Sequence, residues 1–296
     1  MSPIIRSFAE KDLSILVKML NEAYADSYEF KPYSEDRLRS WLEEGTLKIM
    51  IAEENGEIIG SSAYHDGHWG EEIEWLTVLD KADRKSVENT LVREAERFVK
   101  KGTVFTAVDA GSPKIEEWTQ RGYKQEGGLY HMIARLNDIK PVPETPEGIV
   151  PRSLKPQEEG EFVDAVNTGF GTGRVKIGEI GIWKIESPPF SEEWVHVAET
   201  QGRIVSAVVS KPDTTYNKFF NAHRGYLGPA ATLPEYRCKN LASMLTIRAM
   251  NFLFGKGMSS VALYTSEANV SSTTLLRKIG FEVGHNWKFM RKNFKN

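Results

Sequence analysis

One internal repeat constrains the fold of this chain more than any other feature of its sequence. Blocks from the first half return 146 positions later in the second half, and the shift holds from residue 6 to residue 59. A period of that length indicates two duplicated domains, because solenoid repeats have periods of roughly 20–50 residues. A later pair, 121–123 with 279–281, needs a shift of 158, so the second copy contains extra residues. The pairs at the shift of 146 are residues 6–8 with 152–154, 16–17 with 162–163, Asn21 with Asn167, and 49–59 with 195–205.

The domain boundary is expected in a proline-rich segment. Residues 137–148 contain three prolines and several charges, a composition typical of an extended connector. The expected division is a first domain over 1–138, a linker over 139–148 and a second domain over 149–296. Within each half, apolar alternation around a glycine turn indicates a strand hairpin, and strands then alternate with helices. The fold class is therefore α/β, with a mixed sheet covered by helices in each half.

Composition and charge exclude several classes of protein. With 27% charged residues and a formal net charge of −3, the chain of 296 residues has no basic surplus, so nucleic acid is not expected as a partner. Its one cysteine, Cys238, excludes an internal disulfide and a thiolate metal site, and no metal is expected. The first dozen residues lack a secretory signal pattern, and no apolar run reaches the roughly 20 residues of a membrane helix. A cytoplasmic location without a membrane partner is therefore expected.

The stretch from 225 to 257 predicts a strand, a polar turn and a helix. Residues 225–232 are small and extended, and Pro229 with its neighbouring glycines favours a bent or bulged strand. The helix is indicated by apolar residues at helical spacing and by Gly257 as a stop signal. The apolar positions that recur on one face are Ala242, Leu245, Ala249 and Phe252.

The turn between strand and helix, residues 237–242, has the properties of an anion site. The first N–H groups of a helix lack internal partners and carry partial positive charge, which suits a phosphate group. Arg237 and Lys239 add two full charges. Ala242 permits close approach, and Asn240 is expected at the helix N-terminus in a left-handed conformation, which asparagine tolerates. The same residues also fit a basic turn that binds no ligand.

This turn and a second block resemble the GNAT (GCN5-related N-acetyltransferase) superfamily. Arg237 and Ala242 match its acyl-CoA pyrophosphate pattern Q/R-x-x-G-x-G/A, whereas Asn240 stands at a glycine position. The resemblance implies two tandem GNAT-like domains, each a mixed, largely antiparallel sheet flanked by helices, in a layout similar to that of the mycothiol synthases. The second block, 269–281, is similar to N-x-x-A-x-x-L-Y-x-K-x-G-F and matches it at Asn269, Leu275, Lys278, Gly280 and Phe281.

The resemblance also implies acetyl-CoA as acyl donor, bound by the second domain. The family transfers the acyl group to an amine, so a small-molecule or peptide amine is the expected acceptor. The oligomeric state is left open. The residues implied for the CoA site are Ala231, Thr232, Leu233, Arg237, Cys238, Lys239, Asn240, Leu241, Ala242, Asn269 and Ser272.

The catalytic groups are indicated less directly. Leu276 stands where many members carry a tyrosine that protonates the departing thiolate, so that role is not carried over. As the base, Tyr226 is the first candidate because some members carry a glutamate at that strand position, and His223 and Glu267 are alternatives. Each also fits an ordinary polar residue at a strand end. The backbone N–H groups of residues 230–233 are candidates for binding the thioester carbonyl.

The acceptor pocket is expected beside the connection formed by residues 169–194, which forms one of its walls in this family. Three aromatic residues of this connection fit either that wall or an interface with the first domain. They are Trp183, Phe190 and Trp194.

The first copy is not expected to bind acyl-CoA. Alignment of Leu79 with Leu233 sets Glu88 against Ala242, which adds bulk and negative charge where a pyrophosphate must approach.

A function of another class fits the two departures from the family patterns. A chain with Leu276 at the tyrosine position and Asn240 at the glycine position could have lost turnover. It would then serve as a CoA-sensing or protein-interaction module on a duplicated fold.

Overall fold

The computed structural model of the protein describes residues 3–43, 45, 47–67, 70–79 and 83–294. Strands and helices alternate along the chain, so the predicted α/β class is confirmed. The elements of the first half are β1 (Ile4–Ser7), α1 (Leu13–Tyr24), α2 (Glu35–Glu43), β2 (Leu47–Glu54), β3 (Glu57–Gly67), β4 (Gly70–Val78), α3 (Arg84–Glu96), β5 (Thr103–Asp109), α4 (Lys114–Gln120) and β6 (Lys124–Arg135). Those of the second half are β7 (Val150–Ser153), α5 (Glu159–Phe170), α6 (Glu179–Glu186), β8 (Val195–Thr200), β9 (Arg203–Pro212), α7 (Thr214–Phe220), β10 (Arg224–Thr232), α8 (Leu241–Gly255), β11 (Ser260–Ser266), α9 (Val270–Lys278) and β12 (Glu282–Asn293).

The chain forms two compact units, Met1–Leu129 with Asn286–Asn296, and Tyr130–His285. In the first unit the strand order is β1-β2-β3-β4-β5-β12, with β4 parallel to β5 and β12 antiparallel to β5. In the second it is β6-β11-β10-β9-β8-β7, with β10 parallel to β11 and antiparallel to β9. Each sheet is therefore mixed, with antiparallel hairpins on one side of a parallel pair.

The compact units differ from the expected division at 138 and 149. The last strand of the chain, β12, pairs with β5 of the first unit through residues 287–293. The segment 139–148 belongs to the second unit, because Lys140 exchanges two backbone-to-amide hydrogen bonds of 2.8 Å with Asn251 of α8. The proline-rich segment is thus fixed along α8 by hydrogen bonds.

Two ion-pair networks confirm the repeat at atomic detail. Arg6 binds Asp12 at 2.6 Å and Glu53 at 2.8 Å. In the second copy Arg152 binds Glu158 and Glu199, both at 2.6 Å, and all three residues stand 146 positions after their counterparts (152 − 6, 158 − 12, 199 − 53). In each copy the arginine ties the first strand to the following helix and to the neighbouring strand.

The shift between copies changes at two places before α8 and reaches 158 at the pair 121–123 with 279–281. The first change comes from α7, which connects β9 to β10. Leu79 N donates to Ile59 O, and Leu233 N donates to Val205 O, so these leucines are equivalent and the shift at this point is 154 (233 − 79). Asp83 and Asn240 are the N-cap residues of α3 and α8, at a shift of 157 (240 − 83). The turn before the helix is therefore three residues longer in the second copy (157 − 154).

Helix α8 positions the 237–242 turn because one face of the helix is fully buried. Leu245, Ala249 and Leu253 have no exposed surface, and they form part of the second unit's core. Two positions of the predicted face behave differently, since Ala242 is exposed and Phe252 packs edge-on against Trp194. The helix is rotated relative to the predicted face, so the small side chain of Ala242 lies at the surface of the turn.

Within the described ranges, no helix combines the length and apolar character needed to cross a membrane.

Candidate functional site

The 237–242 turn ends at an uncapped helix N-terminus. Asn240 has φ 62° and ψ 9°, so the predicted left-handed conformation at the helix N-cap is confirmed, and its side chain makes no capping hydrogen bond. The first backbone bond of α8 runs from Met244 N to Asn240 O, which leaves the N–H groups of residues 241–243 without helical partners. Cys238 is also left-handed, with φ 60°. Alternating handedness of this kind turns successive N–H groups toward a common point, which suits an anion.

The two cations of the turn differ in what their side chains contact. Arg237 donates from Nη2 to Gly169 O at 2.8 Å and from Nε to Thr232 O at 3.4 Å, so it ties the turn to the end of α5 and to the end of β10. Lys239 Nζ lies 4.8 Å from the ring centroid of Tyr236. Both side chains are exposed, so Arg237 orders the turn while its charge remains at the surface.

A cavity of about 410 Å³ opens between the start of α8 and the outer face of α9. Of the residues implied for CoA, only Asn240 lines it. Asn269 instead caps α9 by accepting from Ser272 N at 3.1 Å, and Ser272 Oγ faces Thr265 Oγ1 at 3.5 Å. The other lining residues are Ser243, Val270, Ser271, Thr274, Leu275, Lys278 and Ile279.

Sequence reasoning missed the polar side of this cavity. Ser271, Thr274 and Lys278 stand at positions i, i+3 and i+7, a spacing that places them on one face of α9. The periodicity of these three residues was the available signal.

Strands β10 and β11 separate beside this turn. Their parallel register covers 224–226 with 260–262, and within the described part of the chain it extends no further. A bulge lies in β10 between Leu227 and Ala230, which confirms the predicted irregular strand. A gap between parallel strands next to a helix N-terminus is a place where an extended ligand can contact the strand backbone.

The four backbone donors expected for the thioester are not equivalent. Leu233 N donates to Val205 O at 2.9 Å, so this N–H group already has a partner in β9. Donors alternate in direction along a strand, so Ala231 N also faces β9, while Ala230 N and Thr232 N face the gap on the β11 side. Thr232 additionally shares a hydroxyl hydrogen bond of 2.8 Å with Ser206. The candidate carbonyl donors are therefore Ala230 and Thr232.

The remaining implied residues serve the turn in other ways. Leu241 is 1% exposed and packs in the core, so its side chain anchors the helix and only its N–H group faces the turn. Ala231 lies against Gly169, where an added Cβ would come within 2.9 Å of the Ala231 methyl group. Cys238 is exposed and unpaired among the described residues.

Tyr226 is the predicted base candidate that lies on the sheet face where the strands separate. Its ring is 6.2 Å from that of Tyr264 on β11, and Lys211 of β9 is its cross-strand neighbour. Burial raises the pKa of Tyr226, while the charge of Arg174 and a backbone hydrogen bond from Tyr264 act to lower it. A phenol with a raised pKa stays protonated at neutral pH, so Tyr226 can donate a hydrogen bond but is not an anionic base.

The structure does not bring His223 and Glu267 to the same point. His223 is exposed just before β10, at the end of the strand opposite to the 237–242 turn. Glu267 follows β11 at its carboxyl end, about 16 Å along the strand from the partner of Tyr226 at a rise of roughly 3.3 Å per residue. Only Tyr226 adjoins both the strand gap and other polar side chains of the sheet face.

Position 276 and three aromatic residues of the 169–194 connection are buried in the core. Leu276 is 4% exposed within the core cluster, and Trp194 and Phe190 are buried there as well. Trp194 packs on α8 through Phe252. Trp183 is 6% exposed in the same cluster, and Lys211 Nζ lies 5.3 Å from its ring centroid.

The connection that precedes α3 in the first unit is shorter than the one that precedes α8. Residues 80–82 lie outside the described part of the chain, but only these three separate Leu79 from Asp83, against six between Leu233 and Asn240. Asp83 Oδ1 accepts from Ser86 N at 3.3 Å, so a carboxylate caps the helix that has an open N-terminus in the second unit.

The expected role of Glu88 is corrected by this geometry. The shorter turn moves Glu88 into the second turn of α3, away from the position of Ala242. There it is 5% exposed and pairs with Arg84 at 2.8 Å and Arg121 at 2.6 Å. The carboxylate at the helix N-terminus is that of Asp83.

Comparison with known proteins agrees with this arrangement. Residues 174–281 match the Acetyltransferase (GNAT) family. A mycothiol acetyltransferase of Thermobispora bispora is 27% identical over 238 residues, which cover 72% of this chain and 77% of that protein. A GCN5-related N-acetyltransferase from Sphaerobacter thermophilus aligns with a TM-score of 0.71 at 21% identity, over 99% of this chain and 96% of that one. A tandem GNAT protein from the clavulanic acid biosynthesis pathway aligns with a TM-score of 0.65 at 14% identity, over 99% of each chain.

The fold of the chain is similar to that of tandem GNAT proteins, as the sequence motifs predicted. Residues 174–281 are the part that matches the GNAT acetyltransferase family, and the matches support N-acetyltransferase activity. Among the residues that the structure describes, no group of three or more His, Cys, Asp or Glu side chains is arranged to bind a metal ion.

Proposed function

We propose that the chain is an acetyl-CoA-dependent N-acyltransferase whose single CoA site lies in the second unit. The observation that carries the proposal is the 237–242 turn, where a left-handed Asn240 precedes an uncapped helix beside the gap between β10 and β11. GNAT proteins generally use acetyl-CoA. The open N–H groups, the exposed Ala242 and the neighbouring cavity fit the phosphates of that molecule.

In this proposal the chain supplies donors, orientation and partial exclusion of water. Bound acetyl-CoA supplies an acetyl thioester that an amine can attack. Ala230 N and Thr232 N donate to the thioester carbonyl as negative charge develops on its oxygen. The acceptor amine reacts only when it is neutral, so it passes a proton to solvent water before it attacks, and the hydroxyl group of Tyr226 orients the neutral amine without removing that proton.

Leu276 has no proton to donate, so it cannot take the role of the family's tyrosine acid. A free thiol has an ordinary pKa of about 8.5, so a thiolate can leave near neutral pH when local N–H groups stabilise it. The proposal therefore needs no dedicated general acid.

The first unit contributes no CoA site in this proposal. Its turn is three residues shorter, and the carboxylate of Asp83 takes the helix N–H group that a phosphate would need. A second negative charge at that point would also repel phosphate oxygens.

Thiol release from acetyl-CoA tests the activity directly. We expect turnover with at least one class of acceptor in a panel of amino acids, polyamines, amino sugars, aminoglycosides and peptides. A reaction that depends on the acceptor concentration supports the transferase. Tight acetyl-CoA binding with no thiol release across the whole panel would contradict it and favour the CoA-sensing module that the buried Leu276 allows.

A further inference from the structure

A half-buried lysine lies on the sheet face of the second unit, and no described carboxylate forms an ion pair with it. Lys211 of β9 stands directly across from Tyr226 of β10. Its Nζ lies 5.3 Å from the ring centroid of Trp183 and 5.7 Å from that of Tyr226. The ammonium group therefore lies near two aromatic rings, at the level where β10 and β11 separate.

Within the described residues, the side chain of Lys211 makes neither a hydrogen bond nor an ion pair. Burial lowers its pKa, and the charges of Glu186, Glu179 and Asp213 only oppose that effect. Asp213 is already paired with Arg224 at 2.8 Å. An ammonium group has three N–H donors, and aromatic rings attract its charge without accepting those hydrogen bonds as a carboxylate does.

The two copies differ in the carboxyl groups that surround this basic residue. The residue equivalent to Lys211 is His65 (211 − 146), which stands across from Glu72 and lies 3.6 Å from Glu74. At the shift of 154 these two carboxylates become Tyr226 and Gly228 in the second copy. Burial and the neighbouring Glu74 raise the pKa of Glu72 to about 9, so Glu74 is the carboxylate that pairs with His65. The second copy has no carboxyl group at either position, and its basic residue is a lysine.

A second cation approaches the same tyrosine. Arg174, on the connection between α5 and α6, lowers the pKa of Tyr226 through its charge. That connection is fixed by Asn167, whose Oδ1 accepts from Arg174 N at 2.7 Å and from Val175 N at 2.9 Å. Positive charge therefore reaches Tyr226 from β9 and from an ordered connection.

From this arrangement we infer that Lys211 binds a carboxylate of the acceptor, and that the acceptor is an amine that carries a carboxylate group, as an amino acid does. The inference rests on the proposed transferase function and adds the substrate class. Lys211 determines specificity, and the ring of Tyr226 forms an apolar wall for the acceptor side chain. Tyr226 then orients the amine toward the strand gap.

The test compares two acceptors in the full-length chain. An amino acid and its carboxamide share the amine and the side chain, so only the carboxylate differs. For Lys211→Met we expect kcat/KM with the amino acid to fall about tenfold or more, mainly through KM, and kcat/KM with the carboxamide to change little. Lys211→Arg should retain most of the preference for the amino acid, because it keeps the charge.

Controls separate a binding role from a structural one. Met fills the space between the two rings, so the melting temperature of Lys211→Met should equal or exceed that of the unchanged chain. Lys218→Met removes an exposed charge on α7 of the same unit and should leave kcat/KM with both acceptors unchanged. If Lys211→Met loses kcat/KM equally with both acceptors, or loses none with the amino acid, the inference is overturned.

A binding measurement distinguishes failure of this inference from failure of the proposed function. An N-acetyl amino acid is the product that the inference predicts, and its binding can be followed by ligand-observed NMR without any turnover. If no acceptor reacts but this probe binds in a manner dependent on Lys211, the carboxylate site stands and the transferase proposal fails. If the probe does not bind, or binds Lys211→Met equally well, the carboxylate site is refuted.

Discussion

Asn240→Asp is expected to weaken acetyl-CoA binding by about tenfold or more while the fold keeps its stability. The substitution changes one amide into a carboxylate of the same size at the N-cap of α8. Aspartate is a good N-cap residue, so helix α8 should be as stable or more stable. A carboxylate near a phosphate costs about 1 kcal/mol at 4 Å in water and several times more at lower effective dielectric. The variant places a carboxylate at the N-cap of α8, as Asp83 does at the N-cap of α3.

Calorimetric titration measures the affinity for acetyl-CoA, and thermal unfolding measures the stability of the fold. Asn55→Asp is the matched control, because Asn55 is also exposed and left-handed, with φ 54°, in the turn between β2 and β3. Asn240→Gly should bind acetyl-CoA as well as the unchanged chain, since glycine adopts this backbone conformation freely. Undiminished affinity in Asn240→Asp would mean that the phosphates do not approach this helix N-terminus.

Arg237→Glu is the second change expected to have a large effect, again a loss of about tenfold or more in acetyl-CoA affinity. Arg237 joins Gly169 O to Thr232 O and so fixes the turn between α5 and β10. A carboxylate there faces two carbonyl oxygens that it cannot bind, and it reverses the charge beside the phosphates. Arg237→Lys should lose less affinity for acetyl-CoA, because it keeps the positive charge. Some loss is still expected, because lysine cannot bridge both carbonyl groups as the planar guanidinium group does.

The same titration, with a charge-matched control, decides this case. Lys218→Glu makes an equal change in net charge on α7 of the same unit and should leave the affinity for acetyl-CoA unchanged. If Arg237→Glu binds acetyl-CoA like the control, Arg237 neither orders the phosphate site nor contributes charge to it.

The repeat and the turn could be predicted from the sequence, because both depend on local patterns. Apolar alternation and the shift of 146 are periodic signals, and the left-handed Asn240 follows from which residues tolerate that backbone. The position of Glu88 was predicted wrongly because the two copies differ in the length of the turn before the helix. Two aligned leucines fix the strands, but nothing local shows that the following turn is three residues shorter, so Glu88 was placed one helical turn too early.

Other features depend on contacts between distant segments. Gly122-Tyr123 and Gly280-Phe281 precede similar last strands, so local sequence does not reveal that β12 pairs with β5. The isolation of Lys211 likewise requires the cross-strand register, which sets it opposite Tyr226. Arg237 was assigned to the phosphates by its charge, whereas its hydrogen bonds reach carbonyl groups in two other elements.

Calorimetric titration of acetyl-CoA into the unchanged chain, Asn240→Asp and Asp83→Asn is the most direct test of a single CoA site in the second unit. The expected result is one site per chain, weakened by Asn240→Asp and unchanged by Asp83→Asn, which removes the carboxylate cap of the first unit. Two sites in the unchanged chain, or one site that responds to Asp83→Asn but not to Asn240→Asp, would contradict it.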